Sequence, residues 1–84
     1  MEGVLREVQA LVARGEKTDS AEAKVLAERF AQICALNHLG DPQVYARWHV
    51  EFGELLDDPE LANAHSRLRD AWRFLADATA TLAS

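Results

Sequence analysis

Three histidines and one cysteine are the residues of this sequence that most directly suggest a metal site or a nucleophile. His38, His49 and His65 lack the i, i+4 spacing that presents two ligands on one helix face, and Cys34 has no Cys-x-x-Cys partner. Cys34 also falls on the apolar side of a predicted helix, where a thiol usually packs without reacting. We therefore predict no metal site, no cofactor and no catalytic residue, and an enzyme is the least favoured interpretation.

Aromatic side chains at helical spacing form the one group that supports a functional site. Four share one side of a predicted helix and a fifth, on the last helix, could oppose them: Tyr45, Trp48, His49, Phe52 and Trp72. Rings with polar tips bury large areas and offer a few oriented hydrogen bonds, so they commonly line ligand pockets. The alternative is that these rings only fill the core. His49 is informative, because an imidazole on a nominally buried side requires a partner or an opening.

The composition predicts one small helical domain over residues 1–84. Hydrophobic residues make up 49% of the chain, and alternating runs of Val, Ile and Thr are missing, so we predict an all-α fold. A chain of this length buries only about 60% of its unfolded surface, so a ligand or partner would add useful stability. Acidic residues outnumber basic ones by 14 to 9, and the net charge of −5 disfavours direct contact with nucleic acid or an anionic membrane.

The features that report on location favour the cytoplasm. A single cysteine cannot form an internal disulfide, which fits a reducing compartment. The chain does not open with the charged, apolar and small-residue pattern of a signal peptide, and its apolar runs are shorter than a membrane span. We therefore expect a cytoplasmic protein without a membrane partner.

Two Asp-Pro junctions predict where helices restart, at Gly40-Asp41-Pro42 and at Asp57-Asp58-Pro59. Proline in the first helical turn has no amide hydrogen to leave unpaired, and an aspartate before it can accept bonds from the free amides of the new helix. A third helix is therefore expected from Pro42, with an aromatic face that continues to Leu55 and Leu56, and a short helical piece is expected from Pro59.

Apolar periodicity predicts the other helices. The first has its apolar side at residues 4–12 and ends at Gly15, which tolerates a left-handed turn. The second should run from about Ser20 to His38, with Thr18 or Asp19 as its N-cap, and is expected to be central. The last should start near Ser66. Together these segments predict a single-domain bundle of four to five helices.

Four stretches of the chain resemble the TipAS-type antibiotic-recognition effector domain of MerR-family transcriptional regulators: Leu11–Gly15, Thr18–Ser20, Glu22–Phe30 and Gly40–Pro42. In that family a helix ends in glycine, a short Asp/Ser-capped loop follows, and a Leu-Ala-x-Arg-aromatic helix leads to a turn before further helices. The likeness runs from about Val4 to Leu56. It implies a small globin-like fold that captures bulky apolar drugs, thiopeptides in the founding example, and reports them to a winged-helix DNA-binding domain that these residues do not include.

The resemblance implies a non-catalytic domain that binds an antibiotic or other bulky apolar molecule and acts as a sensor or sequestering module. Thiopeptide capture in the family can involve a cysteine near the turn before the third helix. This chain has Gly40 or Asp41 there and Cys34 earlier, so covalent capture is not expected. The alternative is a helical dimerisation or docking module whose exposed stripe includes Phe74; in the first interpretation Phe74 packs on the first helix instead. A homodimer formed through a missing or adjacent domain is compatible with the first interpretation.

Overall fold

The computed structural model describes the backbone of residues 2–55 and 59–83 and the side chains of residues 3–55 and 66–82. Within these ranges there are four helices and no strand: α1 (Glu2–Ala13), α2 (Ala21–Leu36), α3 (Pro42–Leu55) and α4 (Pro59–Ala83). The predicted all-α fold is confirmed. The predictions for Leu56, Asp57, Asp58 and the His65 side chain lie outside the described residues.

The end of α1 follows the prediction. The Gly15 amide donates to the Val12 carbonyl at 3.0 Å, and the Glu16 amide donates to the Leu11 carbonyl at 3.0 Å. These two bonds define a Schellman motif, in which the central residue has a left-handed backbone. Gly15 occupies that position with φ 73°, so the predicted glycine stop is confirmed.

Helix α2 ends at Leu36, two residues earlier than predicted. The Leu39 amide donates to the Cys34 carbonyl at 2.9 Å, and this bond closes a second Schellman motif. His38 is its left-handed residue, with φ 54°. The sequence prediction assigned the stop to Gly40, because a histidine in this conformation is uncommon. Gly40 instead lies beyond the turn, where it also has a positive φ of 82°.

The N-cap of α2 differs from the prediction by one or two residues. Ser20, and neither Thr18 nor Asp19, has the extended backbone of the cap. Its Oγ accepts a hydrogen bond from the Ala23 amide at 3.2 Å. Serine is among the favoured N-cap residues because its short side chain reaches this third amide of the helix.

Both Pro-initiated helices begin where predicted. Helix α3 starts at Pro42, and Asp41 Oδ1 accepts from the Gln43 amide at 2.8 Å. Helix α4 starts at Pro59 and continues without a break to Ala83. The prediction of a short helical piece followed by a separate last helix near Ser66 was therefore wrong. Residues 60–83 contain neither glycine nor proline, and nothing in them interrupts the helix. Although α4 has 25 residues, neither it nor any other helix of the described ranges is long and apolar enough to cross a membrane.

Helix α4 makes the most extensive contacts, along α3, α2 and α1. Helix α2, predicted to be central, also meets the other three but contacts α3 only narrowly. Phe30, Leu75, Val8 and Cys34 are fully buried between these helices. Phe74 is buried as well, so the exposed stripe that the docking alternative predicted there is not observed. Because α4 packs against three neighbours, it buries a broader face than the single stripe that periodicity indicated.

Candidate aromatic binding site

Helix α3 turns only part of its aromatic face toward the core. Ala46 is fully buried, and Tyr45 and His49 are half-buried. Trp48 is 54% exposed and Phe52 is 46% exposed, so the predicted buried face is divided. The physical reason is that α3 packs almost entirely against α4, and one neighbouring helix covers a narrower arc than the one these residues span.

An inner group of rings joins α2, α3 and α4. His49 stacks on Trp72 with 4.3 Å between ring centroids and an interplanar angle of 11°. Tyr45 meets both of these rings edge-on, at 4.7 Å and 5.5 Å. Phe30 closes the group from α2, 5.6 Å from Trp72. These contacts hold the imidazole in one orientation at the boundary between core and surface.

An outer pair of rings continues from this group toward solvent. Trp48 stacks on Phe52 at 5.3 Å with an interplanar angle of 17°. Trp48 also meets His49 edge-on at 5.0 Å and 90°. The two stacks are therefore connected through His49.

A cavity of about 220 Å³ lies between α3 and α4 beside these rings, and we call it the aromatic cleft. Its walls comprise three aromatic residues of the predicted site, a histidine, a glycine, a leucine and an arginine: Trp48, Phe52, Trp72, His49, Gly53, Leu68 and Arg69. Four of the five predicted site residues thus meet at one opening. Tyr45, the fifth, contacts two of them from the core side but does not line the cleft. A Cβ at Gly53 would meet nothing within 4 Å, so the wall is open at that point.

Arg69 is the member of the site that the sequence analysis missed. It lines the cleft, and its Nε is buried with no hydrogen-bond acceptor among the described residues. The signal that could have revealed it is its position three residues before Trp72, which places both on one side of a helix. Among the described residues, the site therefore combines stacked rings with an arginine whose Nε has no acceptor.

His49 is the titratable ring of the cleft. Burial lowers its pKa, because desolvation disfavours the charged imidazolium. Near neutral pH the ring is therefore uncharged and offers one N–H donor and one nitrogen acceptor.

A larger groove of about 420 Å³ lies between α1 and α2, and it lacks these features. Its apolar walls are aliphatic, including Leu11, Val25 and Leu26. The charged residues on it are already paired: Arg14 bonds Glu22, and the Glu7 carboxylate accepts from Arg29 at 2.9 Å. Without rings or a free oriented polar group, this groove has less to recognise a specific ligand than the aromatic cleft.

Metal binding and nucleophilic chemistry find no support in the described side chains. No three of their His, Cys, Asp and Glu residues are grouped so that they could hold a metal ion. Cys34 is fully buried, and its thiol pKa is raised by that burial and, to a smaller extent, by the negative charge of Asp41. Such a thiol stays protonated and packs as a small apolar group. Comparison of the chain with protein-family models, curated proteins and solved structures finds no match.

Proposed function

We propose that the chain is a non-catalytic binding domain whose aromatic cleft takes a ring system of a small molecule. The observation that carries the proposal is the arrangement of Trp48, His49 and Trp72 around an opening. Trp72 is buried and stacked on His49, so the half-exposed Trp48 and Phe52 offer the ring surface that a guest can reach. Stacking between a guest ring and these side chains would add to the gain from apolar burial.

The size of the cleft limits what enters it. Pockets for drug-sized ligands measure about 300–1,000 Å³, whereas the aromatic cleft measures about 220 Å³. One ring or two fused rings fit this space. A bulky antibiotic would place one such group in the cleft and lay the rest of its surface over Trp48 and Phe52, which are half exposed beside it.

The TipAS resemblance implies a sensor or sequestering role for a cytoplasmic transcriptional regulator. This role and the globin-like fold both stay predictions. The packing of α3 is compatible with such a role, because this helix is held mainly by α4. A guest that binds only when α3 and α4 lie close would shift the population toward that state. The free energy by which the guest shifts this equilibrium is set by the difference between its binding free energies for the two states.

Tryptophan fluorescence tests the proposal. We expect a panel of compounds with one or two fused aromatic rings, together with a thiopeptide, to contain binders that change the emission. The variants Trp48→Phe and Trp72→Phe assign the change to one wall of the cleft. Gly53→Leu fills the open wall and should abolish binding, whereas Val25→Leu in the α1–α2 groove should leave it unchanged. Binding that survives Gly53→Leu, or no binding by any compound, would contradict the proposal.

A protein-docking module is the second candidate, favoured by one observation. Helix α3 presents an exposed apolar row, which we call the α3 stripe, at i, i+4, i+8 and i+11: Val44, Trp48, Phe52 and Leu55. This row replaces the one that the sequence had placed at Phe74. Rows at this spacing are how an amphipathic helix meets another helix or a groove. The oligomeric state separates this function from ligand binding.

A further inference from the structure

We infer that the aromatic cleft is selective for aromatic acids, with the guanidinium of Arg69 as the partner of the ligand carboxylate. This inference rests on the proposed function, because it specifies the chemistry of the ring-bearing molecule that the cleft takes. The rings select a flat apolar body, and the cation selects the group attached to it.

The state of Arg69 is the first observation behind the inference. Its Nε is buried without an acceptor in the described part of the chain. Three other arginines that reach across the surface each bond a carboxylate: Arg14 with Glu22, Arg29 with Glu7, and Arg73 with Glu54. Burial of the Nε leaves the terminal Nη groups of the same guanidinium as the donors that an acceptor in the cleft can meet.

The charges around the cleft are the second observation. No Asp or Glu is found among its described lining residues, and Arg69 is the charged group of that wall near neutral pH. Two acidic residues follow cleft residues in the sequence, Glu54 after Gly53 and Asp70 after Arg69, but neither lines the cleft. Glu54 accepts a bond from Arg73 at 3.2 Å, and Asp70 lines a separate groove against α1. An anion entering the cleft therefore meets one cation and no carboxylate in the described wall.

The shape of the site favours a carboxylate on a planar ring. A guanidinium is planar and can donate two parallel N–H bonds to a carboxylate, which a spherical cation cannot. Arg69 lines the same cleft as Trp48 and His49, so a ring that enters between these side chains can present its substituent to the guanidinium. Neutral His49, on the facing helix, supplies a further N–H to the same ligand.

The test compares 2-naphthoate with 2-naphthamide, which has nearly the same shape and no charge. Calorimetry on the full chain should give an affinity for the acid at least about tenfold higher, as expected for a charge-assisted hydrogen bond. Arg69→Gln should reduce this preference to about one, measured as the ratio of the acid and amide affinities in the same variant. Arg69→Lys keeps the charge but loses the paired donors, so its preference should be intermediate.

Controls separate failure of the inference from failure of the proposed function. Arg67→Gln removes a nearby arginine that lines the groove against α1, and it should not alter the preference for the acid. If acid and amide bind equally well and Gly53→Leu abolishes the binding of both, the acid selectivity is overturned and the cleft remains a ring-binding site. Binding of neither compound overturns both proposals. If Arg69→Gln is folded by circular dichroism and still prefers the acid, the selectivity belongs to another group and the role inferred for Arg69 is overturned.

Discussion

At the scale of single residues, His38 occupies a position that normally belongs to glycine. It is the central residue of the turn that ends α2, with φ 54°. A side chain in the left-handed region costs roughly 1–2 kcal/mol, because Cβ crowds the following carbonyl. Gly15 ends α1 with the same pair of hydrogen bonds and without that cost. The two turns therefore form a matched pair within one molecule.

The substitution His38→Gly is expected to increase the free energy of unfolding by about 1 kcal/mol, since relief of the left-handed strain exceeds the entropy that glycine adds to the unfolded chain. Gly15→Ala should lower it by about the same amount. Urea denaturation of both variants measures the two changes. A decrease in stability for His38→Gly would show that its side chain contributes more to the turn than its backbone strain costs.

His49 predicts a pH dependence of stability. Its pKa in the folded protein is lowered by burial, whereas in the unfolded chain it is about 6.5. Between these two values the unfolded state binds more protons, so acidification below about pH 6.5 lowers the free energy of unfolding until the folded-state pKa is passed. His49→Gln lacks this contribution. The stability difference between wild type and His49→Gln should therefore be constant above neutral pH and shrink below it.

Urea denaturation of both proteins across the range from mildly alkaline to mildly acidic pH measures that difference. His38→Gln serves as the control, because His38 is exposed and lies outside the cleft. A difference that grows on acidification would mean that the folded state favours the imidazolium, and burial would then not govern the titration of His49.

At the scale of helices, starts and stops were predictable where one residue type carries the geometry. Gly15 and the Asp41-Pro42 pair have strong conformational preferences that act locally, and both ended or began a helix as expected. The end of α2 was not predictable in this way. Its terminating residue is a histidine, whose left-handed backbone follows from the hydrogen bonds of the turn and not from a strong intrinsic preference.

Packing between helices explains the other differences. Periodicity shows which residues share a face, but not how much of that face a neighbour covers. Helix α4 has three neighbours and buries Phe74, whereas α3 is covered chiefly by α4 and leaves Trp48 and Phe52 half exposed. The aromatic members of the site were therefore predictable from their spacing. Arg69 was not, because its importance arises from its place in the cleft wall and from an Nε without an acceptor among the described residues, which only the three-dimensional arrangement reveals.

At the scale of the whole molecule, the α3 stripe decides between a ligand-binding domain and a docking module. Leu55 is 79% exposed and Val44 is 64% exposed, at opposite ends of the row. In a stable interface each partner contributes about 20–30 residues and buries about 800 Å² of its surface. The α3 stripe has only four side chains. We therefore expect any self-association through the stripe to be weak.

The chain should accordingly be monomeric at micromolar concentration and associate detectably only near millimolar concentration, as measured by sedimentation or by light scattering after gel filtration. Leu55→Glu places a charge on the stripe outside the aromatic cleft, so it should remove the association while leaving ligand binding unchanged. Val25→Glu, on the exposed side of α2, is the matched control and should alter neither. A dimer that persists at micromolar concentration and is lost in Leu55→Glu would make docking the better-supported function, because an interface of that strength would cover Trp48 and Phe52 at the mouth of the cleft.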